Sequence, residues 1–217
     1  MKWLFVPLCM LTSALAQNLS LNEVIRKVEA TQKSTKDFSL RISGQANLES
    51  GAQAIDLNVY AIPNLDLTRI EFNAPDALAD NILIIDKKVA SNYLFLTNQV
   101  TVTSLDKTRV DGFNFDFAKF ADFGVNLSKD KYNLKLISVE NTKEGRAYVI
   151  EALSKDDDLA RTRVWISDAR WRPIKVQALD NQNKVQADLV FSNWKVNSGL
   201  KDKDLKKLPK GAQVIKR

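Results

Sequence analysis

Whatever chemistry this chain performs must come without histidine, since its 217 residues hold none, and with a single cysteine, Cys9. Those absences remove the Ser-His-Asp triad, the usual nitrogen and sulfur zinc site and the histidine acid/base pair. Carboxylates remain. The densest run of them is Asp156-Asp157-Asp158, flanked by Lys155, Leu159 and Ala160 and by strand-like segments on both sides. A calcium loop would need spaced oxygen ligands and a glycine, so a solvated hairpin turn is the expectation. A carboxylate hydrolase would need two acids converging in one cleft with shifted pKa values, which makes it the most distant functional reading. The expectation is a protein that is not an enzyme and uses no metal and no cofactor.

The other stretch with chemical character is apolar. Residues 113–123, Phe-Asn-Phe-Asp-Phe-Ala-Lys-Phe-Ala-Asp-Phe, hold five of the chain's ten phenylalanines. On a helix Phe113, Phe117, Phe120 and Phe123 share one face, with Phe115 opposite beside Lys119 and Asp122. As a strand the segment loses its pattern at Ala118-Lys119. Two readings stand side by side: a helix closing the end of a sheet with its Phe face in the core, or a lid over an apolar site.

The elements that would position this segment follow an export signal. Met1 to Leu11 is a short positive start and an apolar run, closed by Ala14-Leu15-Ala16, which predicts a secretory signal peptide over 1–16 and one domain over 17–217. The run is too short for a hydrocarbon core of about 30 Å. Val6-Pro7-Leu8 are not the small residues that a lipidation site at Cys9 wants. Cleavage leaves 201 residues without cysteine, and takes the formal charge from +6 to +5. Acids and bases are interspersed, as in Lys201-Asp202-Lys203-Asp204, so a mixed solvated surface is expected and nucleic acid is not.

Ser20-Leu21-Asn22-Glu23 is a capping-box pattern, and Leu21, Val24, Ile25 and Val28 follow at helical spacing, predicting one amphipathic helix to about Lys33. The period then changes to two. Phe38, Leu40, Ile42, Ala46 and Leu48 alternate with polar residues, and after Gly51 so do Ile55, Leu57 and Val59, giving a hairpin. Leu65 and Leu67 are out of phase with Ile70 and Phe72, which predicts a bulge near Thr68-Arg69. Further strands are expected at 81–86, 92–97, 100–105, 132–141, 146–153 and 161–167. Ile174 to Ala178 and Val185 to Phe191, joined by the polar turn Asp180-Asn181-Gln182-Asn183, predict a hairpin at the end of the sheet. About eleven strands result, and a sheet of that size curls or splits.

The order of these features resembles the LolA family of periplasmic outer-membrane lipoprotein carriers. The resemblance is carried by the N-terminal helix, the proline turn Pro63-Asn64-Leu65, the turn Asp86-Lys87-Lys88 leading to Tyr93, and the central helical interruption. It continues in Trp165-Ile166-Ser167-Asp168 with Arg172-Pro173-Ile174, and in the closing Leu208-Pro209-Lys210-Gly211-Ala212. It covers essentially the whole chain after the signal, most specifically its final third. What it implies is a mainly β fold with some helix, an unclosed antiparallel barrel with helices as a lid over an apolar cavity. The protein would be a monomeric periplasmic carrier taking lipoprotein or lipid acyl chains from an inner-membrane lipoprotein-releasing transporter to an outer-membrane acceptor. The lipid-binding residues would be Phe38, Leu40, Ile42, Leu57, Val59, Val176, Leu189 and Phe191 of the sheet with Phe113, Phe117, Phe120 and Phe123 of the lid. An envelope lipid- or lipoprotein-sensing module of the same fold is the alternative. Each methylene kept from water is worth about 0.8 kcal/mol, so a lipoprotein needs such a container to cross an aqueous compartment. Family members with a known lid latch carry an arginine before the proline, where this chain has Ile62. An apolar, salt-insensitive closure is the expectation, with Arg69 or Arg41 as the places for a polar latch otherwise.

Overall fold

A computed structural model describes residues 18–48, 51–104, 127, 130–155 and 161–216. The Phe113 to Phe123 segment, the aspartates 156–158 and the signal segment lie outside the described residues.

Ser20 ends an extended lead-in and starts helix α1 (Leu21–Ser34). Its hydroxyl accepts from the Glu23 N–H at 3.4 Å, and the Glu23 carboxylate accepts from the Ser20 N–H at 2.8 Å, so the predicted capping box is formed. Val24, Ile25 and Val28 are buried on one side of the helix. Burial of each contributes about 1.5–3 kcal/mol.

Beyond α1 the described residues are mostly strand: β1 (Phe38–Leu48), β2 (Gly51–Ile62), β3 (Leu67–Ala74), β4 (Ile82–Asp86), β5 (Val89–Leu94) and β6 (Gln99–Ser104). There follow β7 (Tyr132–Thr142), β8 (Gly145–Ser154), β9 (Arg161–Ser167), β10 (Arg172–Leu179) and β11 (Val185–Val196), then a one-turn helix α2 (Asp202–Leu205) and β12 (Gln213–Lys216). The twelve strands among the described residues form one unclosed sheet in the order β12-β6-β5-β4-β3-β2-β1-β11-β10-β9-β8-β7. Each pairing among them is antiparallel except that of the last strand, β12, which runs parallel to β6.

Three expectations are corrected here. The β10–β11 hairpin is central rather than terminal, because β11 pairs with β1 and so joins the two halves of the sheet. The bulge in β3 is not at Thr68-Arg69: Ile62↔Leu67 through Leu57↔Phe72 is regular, and the shift falls between Asp56 and Leu57, where Asp56 faces Ala74. The phase change has another cause, since Leu67 is buried on one face of the sheet and Ile70 and Phe72 on the other. The strand expected over 92–97 is Val89–Leu94, because the chain turns at 95–98 with Asn98 in the left-handed region (φ 51°).

The larger core lies on the inner face, beneath α1. A second core on the outer face holds Ile62, Leu67, Ile82, Ile84, Tyr93, Val100 and Leu205. The uninterrupted run Ile82-Leu83-Ile84-Ile85 is the local reason: β4 sends Leu83 and Ile85 to the inner core and Ile82 and Ile84 to the outer one.

Candidate functional site

The inner apolar face is the candidate site. Strands β1 and β2 contribute Phe38, Leu40, Ile42, Leu57 and Val59, while β10 and β11 contribute Val176, Leu189 and Phe191. All eight are buried in one contiguous cluster with Val24, Ile25 and Val28 of α1. The alternation that exposed them in the sequence is the reason they converge: side chains two apart share a face, and Ile42 sits opposite both Leu57 and Phe191 in the ladders. The other four predicted residues, Phe113, Phe117, Phe120 and Phe123, lie outside the described residues.

The latch positions take definite places. Ile62 is buried in the outer core and faces away from the inner surface. Arg41 pairs with Asp56 through its guanidinium, Nε to Oδ1 at 2.8 Å. Arg69 donates to the Glu71 carboxylate at 2.7 Å and to the Leu205 and Lys207 carbonyls at 3.2 and 2.7 Å. Arg69 thus holds the C-terminal segment against the outer face.

One rim of the inner face combines aromatic rings with cations, and no sequence signal beyond the dense Arg170-Trp171-Arg172 triplet marked it. Trp171, in the β9–β10 turn, stacks on Tyr148 with centroids 5.9 Å apart. Lys27 of α1 lies 4.9 Å from the Trp171 ring centre, and Arg172 lies 5.7 Å from that of Trp194. Trp194 in turn meets Phe38 of the inner core at 5.6 Å. Arg146 is held by Asp168, Nε to Oδ2 at 3.1 Å, and reaches Asn18 just ahead of α1. At the other end of the helix, the Asn197 amide accepts from the Lys36 N–H at 2.7 Å and donates to the Ser34 carbonyl at 3.2 Å. Helix α1 is therefore tied to the sheet at both ends.

The described residues bound two open concavities. One of about 860 Å³ is bounded by Asp66, Ile84, Asp86, Lys87, Lys206 and Leu208 among others, and is crossed by the Lys206–Asp86 ion pair at 2.7 Å. The second, about 490 Å³, lies along Arg41, Asn58, Tyr60 and Lys195 and includes Leu40 alone of the predicted lipid-binding residues. Burial raises the Tyr60 hydroxyl above its ordinary pKa, and the Glu71 carboxylate adds to this.

No family model matches the chain. An uncharacterized protein of Methanocaldococcus jannaschii is 21% identical over 214 residues, which is 98% of this chain but 58% of that protein. The chain thus spans a little over half the length of that relative. Among solved structures, an uncharacterized conserved protein from Thermus thermophilus is 27% identical with a TM-score of 0.68, covering 92% of this chain and 100% of that one. A candidate outer membrane lipoprotein-sorting protein domain from Vibrio parahaemolyticus is 14% identical with a TM-score of 0.51, covering 85% of this chain and 95% of the domain. A single unclosed sheet with an apolar inner face under an N-terminal helix, matched over most of its length by these structures, is a LolA-like fold.

Proposed function

We propose that this protein is an exported, non-catalytic carrier that holds the acyl chains of a lipoprotein or lipid against the inner face of its sheet and moves them between envelope membranes. The observation that carries this reading is the convergence of Phe38, Leu40, Ile42, Leu57, Val59, Val176, Leu189 and Phe191 into one apolar surface beneath a helix in a LolA-like fold. A surface of non-directional apolar contacts suits a flexible chain of methylenes, and needs no bond made or broken. The N-terminal pattern ending at Ala16 supports export, and an inner-membrane donor and an outer-membrane acceptor complete the cycle. The Phe113 to Phe123 segment enters this proposal through its sequence spacing, as the second wall of the acyl site.

Cargo uptake tests it. Protein purified gently from its native envelope is expected to release an acyl-bearing species on organic extraction and mass spectrometry. Phe117→Lys and Phe120→Lys are expected to abolish uptake of a fluorescent fatty acid while the strand-rich circular dichroism and the melting temperature stay near those of the parent. A large loss of melting temperature would make these phenylalanines ordinary core. Normal uptake by both variants would remove them from the site.

A further inference from the structure

Arg41, Arg69, Arg146, Arg163 and Lys175 of the sheet each have a carboxylate within ion-pairing distance. Lys27, Arg170 and Arg172 form no ion pair among the described residues, a property they share with other surface cations. They are nevertheless gathered around two tryptophans, Lys27 over Trp171 at 4.9 Å and Arg172 over Trp194 at 5.7 Å, with Arg170 and Arg172 flanking Trp171 in the chain. Trp171 itself is held at φ 51°, where a bulky residue is disfavoured, by its N–H bond to the Ser167 carbonyl at 2.8 Å and by the stack on Tyr148. The turn keeps this conformation with two arginines side by side. Arg172 is pushed below its ordinary pKa by burial and then by the positive charge of Arg170, so its charge is poorly compensated in the protein alone. An anion would relieve both effects. The place is specific, because Trp171 and Trp194 both pack against the inner apolar cluster.

We propose that Lys27, Arg170 and Arg172 form an anion site at the rim of the inner face that takes the phosphate headgroup of a lipid whose acyl chains lie on the apolar cluster. The site rests on the carrier reading. Guanidinium groups suit a phosphate because their fork of N–H donors matches its oxygens, and the ammonium of Lys27 adds a point charge from the helix side. The tryptophan rings fill the boundary between wet headgroup and dry chain, where amphipathic rings are favoured.

The test uses the full-length protein and neutral phosphatidylcholine vesicles carrying either fluorescent phosphatidate or the diacylglycerol with the same chains. The parent is expected to take up phosphatidate roughly tenfold or more in preference to diacylglycerol. Arg170→Gln with Arg172→Gln should bring that ratio to about one, with diacylglycerol uptake and melting temperature unchanged. Lys27→Gln, on an exposed helix position, should lower the ratio part of the way and serves where the double variant does not fold. A ratio untouched by either variant would overturn the site, as would a fall in melting temperature with the preference intact, which is the signature of a structural stack. Equal uptake of both lipids by the parent would leave the carrier standing and refute the headgroup site, whereas uptake of neither would refute the carrier and the site with it. Glycerol 3-phosphate binding as tightly as phosphatidate would mark a site for a soluble anion and equally overturn the assignment.

Discussion

Asp37 shows how a single side chain positions the helix over the candidate site. It is buried where α1 gives way to β1, and its carboxylate accepts from the Ser198 N–H at 2.8 Å, the Ser198 hydroxyl at 3.0 Å and the Gly199 N–H at 3.1 Å. Burial pushes the Asp37 carboxyl up, but the hydrogen bonds from Ser198 and Gly199 together outweigh it and hold the group below the ordinary carboxylate range. A lowered folded value means that the charged form is the one the fold favours. Its contribution is therefore complete above the unfolded value and is lost as the pH falls through the folded one. Asp37→Asn is expected to cost about 1–3 kcal/mol at pH 7, with the gap to the parent narrowing below about pH 4. Urea unfolding of both proteins at pH 7 and pH 3 checks it, and an equal gap at the two values would refute the electrostatic account.

At the scale of elements, the C-terminal segment is what the sequence pattern least prepared for. Leu200, Leu205, Leu208 and Ala212 cover the outer face at β3 to β6, and β12 then extends the sheet in parallel beside β6. Arg69 is the fastening, since its guanidinium donates to the Leu205 carbonyl at the end of α2 and to the Lys207 carbonyl just beyond it. Arg69→Met is expected to lower stability by about 2–3 kcal/mol and to make the C-terminal residues cleavable by trypsin before the rest of the domain. Limited proteolysis followed by mass spectrometry measures the order of cleavage. Cleavage of both regions together would show that the segment is not separately held.

Across the whole molecule, one strand pair carries the connection between two half-sheets. β1 and β11 are seventh and eighth in the twelve-strand order, joining seven strands to five, and their ladder runs from Phe38↔Val196 to Ala46↔Ala187. Gly44 makes that approach possible: a Cβ there would stand 2.0 Å from the Asp188 carbonyl oxygen, a backbone atom that cannot rotate away. Gly44→Ala is expected to destabilise the entire domain by about 3 kcal/mol or more, because the ladder must part to admit the methyl. Native-state hydrogen exchange reads the outcome. Loss of protection in both halves is expected, and loss confined to β1 would indicate that the halves are held together elsewhere.

The alternating strands, the capping box and the choice of residues for the inner face were legible in the sequence, because each depends on local spacing alone. Ser20 and Glu23 meet within one turn, and Phe38, Leu40 and Ile42 must share a face in any strand. Pairing between distant segments follows no such rule. Nothing in Val185 to Val196 announces that it pairs with β1 rather than ending a sheet, since a strand with one apolar face fits beside any other. The two-sided burial of Ile82 to Ile85 was present as an apolar run, but its outer cover comes from residues more than a hundred positions later. The rim of Lys27, Arg170, Arg172 and the two tryptophans likewise exists only once a helix, a turn and a distant strand are folded together. Local periodicity assigns a residue to a face, and only the tertiary arrangement decides which other segment that face will meet.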